Sequence, residues 1–142
     1  MQANNILQGV LFSFLLIAAS YTDIKKREIP DTICLLIALT GLLRFSFVNL
    51  LGIFVALPFL IAAILKENGI GGGDIKLTAA VGVVLGFWRG IYGLMIGLTL
   101  LVLFYIMLLI IAKIRRKQVA KDLPMPLAPF LGIGFMIIYF MN

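Results

Sequence analysis

Six residues of this chain carry a side-chain carboxyl group: Asp23, Glu28, Asp31, Glu67, Asp74 and Asp122. They matter because so little else here can do acid–base chemistry. The sequence has no histidine and one cysteine, Cys34. That excludes histidine catalysis, a disulfide within the chain and Cys/His zinc sites. Proton transfer is left to carboxylates, lysines and tyrosines. Two of the acids are oddly placed. Asp23 directly follows an apolar run, at what reads as a helix C-terminus, where the helix dipole disfavours an anion. Lys25, Lys26 and Arg27 offset part of that cost. Asp74 ends the run Gly71-Gly72-Gly73 and opens another apolar segment. An N-cap role would account for the aspartate, but three glycines indicate a backbone that bends sharply or passes close to another element. A Walker-type phosphate loop would need a Lys-Ser/Thr pair at the helix start, which is absent. Brought together, Asp23 and Asp74 would form an aspartic dyad sharing one proton. One carboxylate would activate a water while its protonated partner donates to a carbonyl, which suits amide hydrolysis. Spacing alone does not make the two meet, and a helix cap beside a charged loop is the competing account.

The elements that must position these acids follow from composition. Of 142 residues, 63% are hydrophobic and 13% charged, with mean hydropathy +1.16. A soluble domain is ~45–50% apolar and ~25% charged. This excludes a soluble enzyme, a disordered chain, a disulfide scaffold and a polar nucleic-acid binder, although the net charge is +6 and the pI about 9.8. A membrane helix takes about 20 apolar residues, so the chain accommodates about six crossings with short loops. The apolar runs are Ile6–Thr22, Pro30–Leu43, Phe47–Leu65, Asp74–Trp88, Ile91–Ala112 and Leu127–Met141. The first is not a secretory signal, because its basic cluster follows the apolar run. Pro30 suits the first turn of the second helix, and Pro58 is placed to kink the third. Glycines at 82, 86 and 90, and at 93 and 97, repeat at the four-residue spacing that lets membrane helices approach closely.

Charge orients the bundle. Lys25, Lys26, Arg27, Lys66, Lys76, Lys113, Arg115, Arg116, Lys117 and Lys121 fall on one side with all six acids, and only Arg44 and Arg89 on the other. The positive-inside rule puts the first group in the cytoplasm. The expected fold is therefore an all-α integral membrane protein. It is a bundle of about six transmembrane helices with the N-terminus and C-terminus outside, and residues 1–142 form one membrane domain. The basic loops then serve topology and attraction to anionic lipid headgroups.

The stretch Asp23-Ile24-Lys25-Lys26-Arg27-Glu28-Ile29-Pro30-Asp31 resembles the first signature of the type IV prepilin peptidases: an aspartate, a basic run, then Ile-Pro and a polar residue. Gly71-Gly72-Gly73-Asp74-Ile75-Lys76-Leu77 resembles their second, the Gly-x-Gly-Asp motif with its following lysine. Ala128-Pro129-Phe130-Leu131 is similar to the Pro-Phe segment before their last span. The resemblance implies an intramembrane aspartic endopeptidase with Asp23 and Asp74 as catalytic residues. It implies supporting roles for Gly71, Gly73, Lys76, Ile29 and Pro30. The glycines would let the loop fold back toward Asp23, and Lys76 would set local charge or simply snorkel to the interface. The implied substrate is a prepilin or pseudopilin with a short basic leader and an apolar helix, cut at the cytoplasmic face of the inner (cytoplasmic) membrane. Glu28, Asp31 and Glu67 could attract that leader, or be solvated loop residues. Larger members carry an N-methyltransferase domain with paired Cys-x-x-Cys zinc motifs. With one cysteine and no insertion after the first span, no methyl transfer is expected. Partners are the substrate and membrane lipid, with no nucleic acid. No cofactor or metal is expected, because two carboxylates supply the chemistry and soft ligands are missing. The alternative is a small proton-coupled transporter using the same aspartates as relay groups. Against it, no acid or histidine sits mid-span and no inverted repeat is evident.

Overall fold

A computed structural model describes residues 2–66, 72–116 and 127–141 of the chain. The regular structure of these residues is helical throughout. Helix α1 is Gln2–Lys26 and α2 is Asp31–Thr40, continued by a 3-10 turn over Gly41–Arg44. The third segment, Phe47–Leu65, contains α3 (Phe47–Leu50), a 3-10 stretch Leu51–Ala56 and α4 (Leu57–Leu65). Helices α5 (Gly72–Leu85), α6 (Phe87–Ile114) and α7 (Ala128–Phe140) complete the order.

In α1, Phe12, Leu15, Leu16 and Ala19 recur at helical spacing and are buried. A soluble helix would be polar on the other face. Here Ile6, Val10, Phe14 and Ile17 are exposed instead. A helix apolar all round belongs in a protein core or in lipid, and this one has a protein side and a lipid side. The central element is α5, with Leu77, Thr78, Ala80, Val81, Gly82, Val84 and Leu85 buried. It packs against α2, α6 and the Leu51–Ala56 stretch, while α7 packs against α1 and α6.

Among the described residues, six helical segments stand where six apolar runs were expected, the second, fourth and sixth as short as those runs are. Three helical stretches among the described residues are long and apolar enough to cross a membrane: Ala3–Lys26, Phe47–Leu65 and Phe87–Ile114. Helices α2, α5 and α7 have 10, 14 and 13 residues. At about 1.5 Å per residue they fall short of a ~30 Å hydrocarbon core. The boundary between the fourth and fifth runs moves: α5 ends at Leu85 and α6 begins at Phe87, rather than at Trp88 and Ile91. Gly86 makes that break, with φ of +86°, a conformation glycine adopts without steric cost. It is thus a turn residue and not part of the close-packing series.

The other expected glycines do serve close packing. A Cβ on Gly52 would land on the Gly82 carbonyl, and one on Gly82 would land on the Gly52 carbonyl. A Cβ on Gly97 would lie 2.9 Å from the Leu131 Cα. Pro58 sits in the first turn of α4, where it forfeits no α-helical hydrogen bond. The irregularity it was expected to cause appears just ahead of it, as the 3-10 stretch.

Candidate active site

One end of the bundle gathers the C-terminus of α1 and the N-termini of α2, α5 and α7. A cavity of about 390 Å³ opens there, lined by Asp23, Arg27, Glu28, Ile29, Asp31, Gly72, Gly73, Asp74 and Lys76. Both aspartates singled out in the sequence therefore share one cleft, from the last turn of α1 and the first turn of α5.

Asp23 is 7% exposed. Its Oδ2 accepts the Ala128 N–H at 3.0 Å, from a residue 105 positions away. Ala128 is the first residue of α7, so this N–H is one the helix cannot satisfy itself. The contact resolves the electrostatic puzzle of Asp23: the carboxylate at the negative end of α1 is also at the positive end of α7. Sequence reasoning singled out the Ala128-Pro129-Phe130-Leu131 segment but gave Ala128 no role, because a backbone donor has no side-chain signature. Pro129 lies in the first turn of α7, where its missing N–H breaks no helical hydrogen bond.

Asp74 meets the cleft differently. Its Oδ1 is buried and has no hydrogen-bond partner among the described residues. Its backbone carbonyl accepts the Thr78 hydroxyl at 2.8 Å. One carboxylate of the pair is therefore bonded to a helix terminus and the other holds an oxygen in reserve. Gly73 explains how α5 comes so close: a Cβ there would lie 3.1 Å from the Ile29 Cβ and 3.3 Å from the Ile29 nitrogen. Ile29 is itself buried and forms the wall on which the start of α5 rests. Gly72 faces open space. Gly71 and Glu67 lie outside the described residues, as do Lys117, Lys121 and Asp122.

The supporting residues divide. Pro30 precedes the first residue of α2 and is extended, with φ −60° and ψ 138°. It stands just ahead of the first turn where the sequence placed it. Its carbonyl accepts the Ile33 N–H at 3.1 Å, which begins the helix. Lys76 lines the cleft but makes no ion pair with Asp23 or Asp74. It donates to Asp31 Oδ1 at 2.8 Å, in an ion pair exposed on both sides, a type that adds little to stability. Arg27 ends α1 with φ of +57°, rare for a residue with a Cβ. Its N–H closes the last turn on the Asp23 carbonyl at 2.9 Å. No group of three His, Cys, Asp or Glu able to hold a metal ion occurs among the described residues.

Apolar helices of membrane-crossing length mark a membrane protein, and a carboxylate-lined cleft opens at one end of its bundle. Comparison with known proteins gives the family: residues 10–114 match the type IV leader peptidase family, and the chain belongs to it. It is 29% identical to the prepilin leader peptidase/N-methyltransferase of Bacillus subtilis (strain 168), over 94% of this chain and 55% of that protein. It is 38% identical to the prepilin peptidase EppA of Methanococcus maripaludis over 81 residues, 55% of this chain and 23% of that protein. The chain thus spans about half the length of the first relative and about a quarter of the second. No solved structure matches.

Proposed function

We propose that the protein is an intramembrane aspartic endopeptidase that removes the basic leader of a prepilin or pseudopilin at the cytoplasmic membrane face. The observation that carries this reading is the shared cleft: the only acids that the sequence marks as misplaced line one cavity from two different helices. The family membership and the printed names of the relatives support it. In this reading Asp23 and Asp74 are the catalytic residues, and the pair holds one proton, since two close carboxylates do not both ionise readily. Asp23, bonded to the α7 amide, is the ionised member and draws a proton from water. Asp74, with a buried oxygen that has no donor, carries the proton and gives it to the scissile carbonyl.

The remaining groups fit a cationic substrate. Asp23, Glu28, Asp31 and Asp74 line the cavity against Arg27 and Lys76. Lys76 is already paired with Asp31, so Glu28 is left to meet the leader. The turn between α1 and α2 is only Arg27–Pro30 and the chain has one cysteine, so cleavage proceeds here without methyl transfer. The six helical segments alternate in direction across the cytoplasmic membrane, both termini outside, the short α2, α5 and α7 shielded by longer neighbours.

Co-expression with a prepilin of the same organism tests this reading, scored by the mobility shift of leader loss. Processing by the wild-type chain is expected. A correctly inserted chain that leaves every pilin-like substrate intact would sink it, and proton flux in liposomes would then become the relevant assay.

A further inference from the structure

Two cations stood apart in the charge pattern, Arg44 and Arg89, and the proposed proteolysis gives them no role. Both lie at the end of the bundle opposite the aspartates, where they line two adjoining hollows. The first, about 560 Å³, is polar, with Asn4, Asn5, Ser46 and Asn49 beside the arginines. The second, about 640 Å³, shares Asn5, Arg44, Arg89 and Tyr139 with it. It continues as a groove along α1 past Ile6, Val10, Phe14 and Ile17. No acidic residue lines either hollow.

The floor between them is fixed. Gln8, 2% exposed, donates to the Thr40 carbonyl at 2.9 Å and accepts the Tyr139 hydroxyl at 3.0 Å. That ties α1, α2 and α7 together. Arg89 donates to the carbonyls of Ile138 and Tyr139 at 2.7 and 3.3 Å, which holds its guanidinium at the mouth. The N-terminal turn of α1 contributes Asn4 and Asn5 and adds the positive end of a helix dipole. Among the described residues the charged side chains on this wall, Arg44 and Arg89, are both positive, and the last carbonyls of α7 offset only part of the charge of Arg89. The groove below it is apolar, and from Ile6 to Ile17 it runs roughly 16 Å at 1.5 Å per residue. That is about the depth of one leaflet of a ~30 Å core.

We propose that these joined hollows bind one anionic phospholipid, its phosphate held between Arg44 and Arg89 and one acyl chain lying along α1. Charge complementarity selects the headgroup, and the length of the groove selects a lipid over a free anion. Occupancy bridges α1, the turn that continues α2, and α6; the other ends of α1 and α2 frame the aspartate cleft.

The test uses the purified full chain in neutral micelles doped with phosphatidylglycerol, with phosphatidylcholine, or with inorganic phosphate alone. Native mass spectrometry counts bound lipid, and thermal unfolding reads its effect. Phosphatidylglycerol is expected to be retained and to raise Tm by about 5 °C at saturation, since it binds only the folded state. Phosphatidylcholine and inorganic phosphate are expected to leave Tm unchanged. Arg44→Gln, at an exposed position, should weaken phosphatidylglycerol binding about tenfold while keeping the wild-type Tm in phosphatidylcholine. Val10→Trp, which fills the groove and spares both arginines, should weaken it as well. Equal retention of the two lipids, or full retention by Arg44→Gln, would overturn the proposal. Stabilisation by inorganic phosphate alone would overturn the lipid assignment in favour of a free anion.

Discussion

Asp23 stands in the last turn of one helix and against the first turn of another, and that double placement lets a carboxylate sit buried at the end of the bundle. Its Oδ2 satisfies the Ala128 N–H, whereas the buried Oδ1 of Asp74 has no partner among the described residues. If the pair works as proposed, Asp23→Asn and Asp74→Asn each lower kcat more than about 10³-fold. Asp23→Asn also weakens the bond to α7, so its Tm should fall where that of Asp74→Asn does not. Thermal unfolding of the two variants side by side checks this asymmetry. Glu28 lines the cleft without an ion-pair partner among the described residues. Glu28→Gln should therefore raise KM for a basic leader several-fold and leave kcat near wild type, with the difference shrinking at high salt. Equal effects on kcat and KM would place Glu28 in the chemistry instead. Lys76→Gln should change cleavage less than about threefold, because its ammonium pairs with Asp31 at the rim.

At the scale of elements, backbone contact decides where the helices lie. Gly52 and Gly82 meet carbonyl to Cα, so α5 can lie against the Leu51–Ala56 stretch only while both lack a side chain. Gly82→Val should cost about 1–3 kcal/mol or more, as over-packing does, read as lost Tm or lost expression in the membrane. At the cleft the two adjacent glycines should part company. Gly72→Ala meets open space and should be tolerated, while Gly73→Ala presses on Ile29 and should slow cleavage about tenfold by moving Asp74. Matching activities would show that the approach of α5 to Ile29 does not position the dyad. The apolar runs made the helical segments legible in the sequence, and the four-residue glycine spacing made α5 and α6 legible as packing helices. Gly52 escaped notice because a lone glycine carries no periodicity. Gly86 was misread because spacing does not report the sign of φ. The shortness of α2, α5 and α7 was legible in the runs themselves, whereas the boundary between α5 and α6 was not. Apolar residues at the break, such as Phe87 and Trp88, continue the hydropathy while the helix stops.

Across the whole molecule, charge is sorted between two ends. Asp23, Glu28, Asp31 and Asp74 stand at one, and Arg44 and Arg89 at the other. That sorting was readable from the sequence, because each loop carries its charge with it. The meeting of Asp23, Asp74 and Ala128 was not, because it depends on three helix ends far apart in the chain. If the bundle crosses the membrane as proposed, cysteines introduced by Glu28→Cys and Ser46→Cys should react with an impermeant maleimide from opposite sides, the first from the cytoplasm. Labelling of both from one side would contradict the topology. The central claim is that Asp23 and Asp74 act as one proteolytic pair. It is tested most directly by reconstituting the purified wild-type chain, Asp23→Asn and Asp74→Asn in liposomes with a prepilin. Mass spectrometry of the products would show any released leader. The account predicts a single cut at the leader junction with the wild type and none with either variant, all three being folded and inserted. Leader release by either variant at more than about a tenth of the wild-type rate would contradict it.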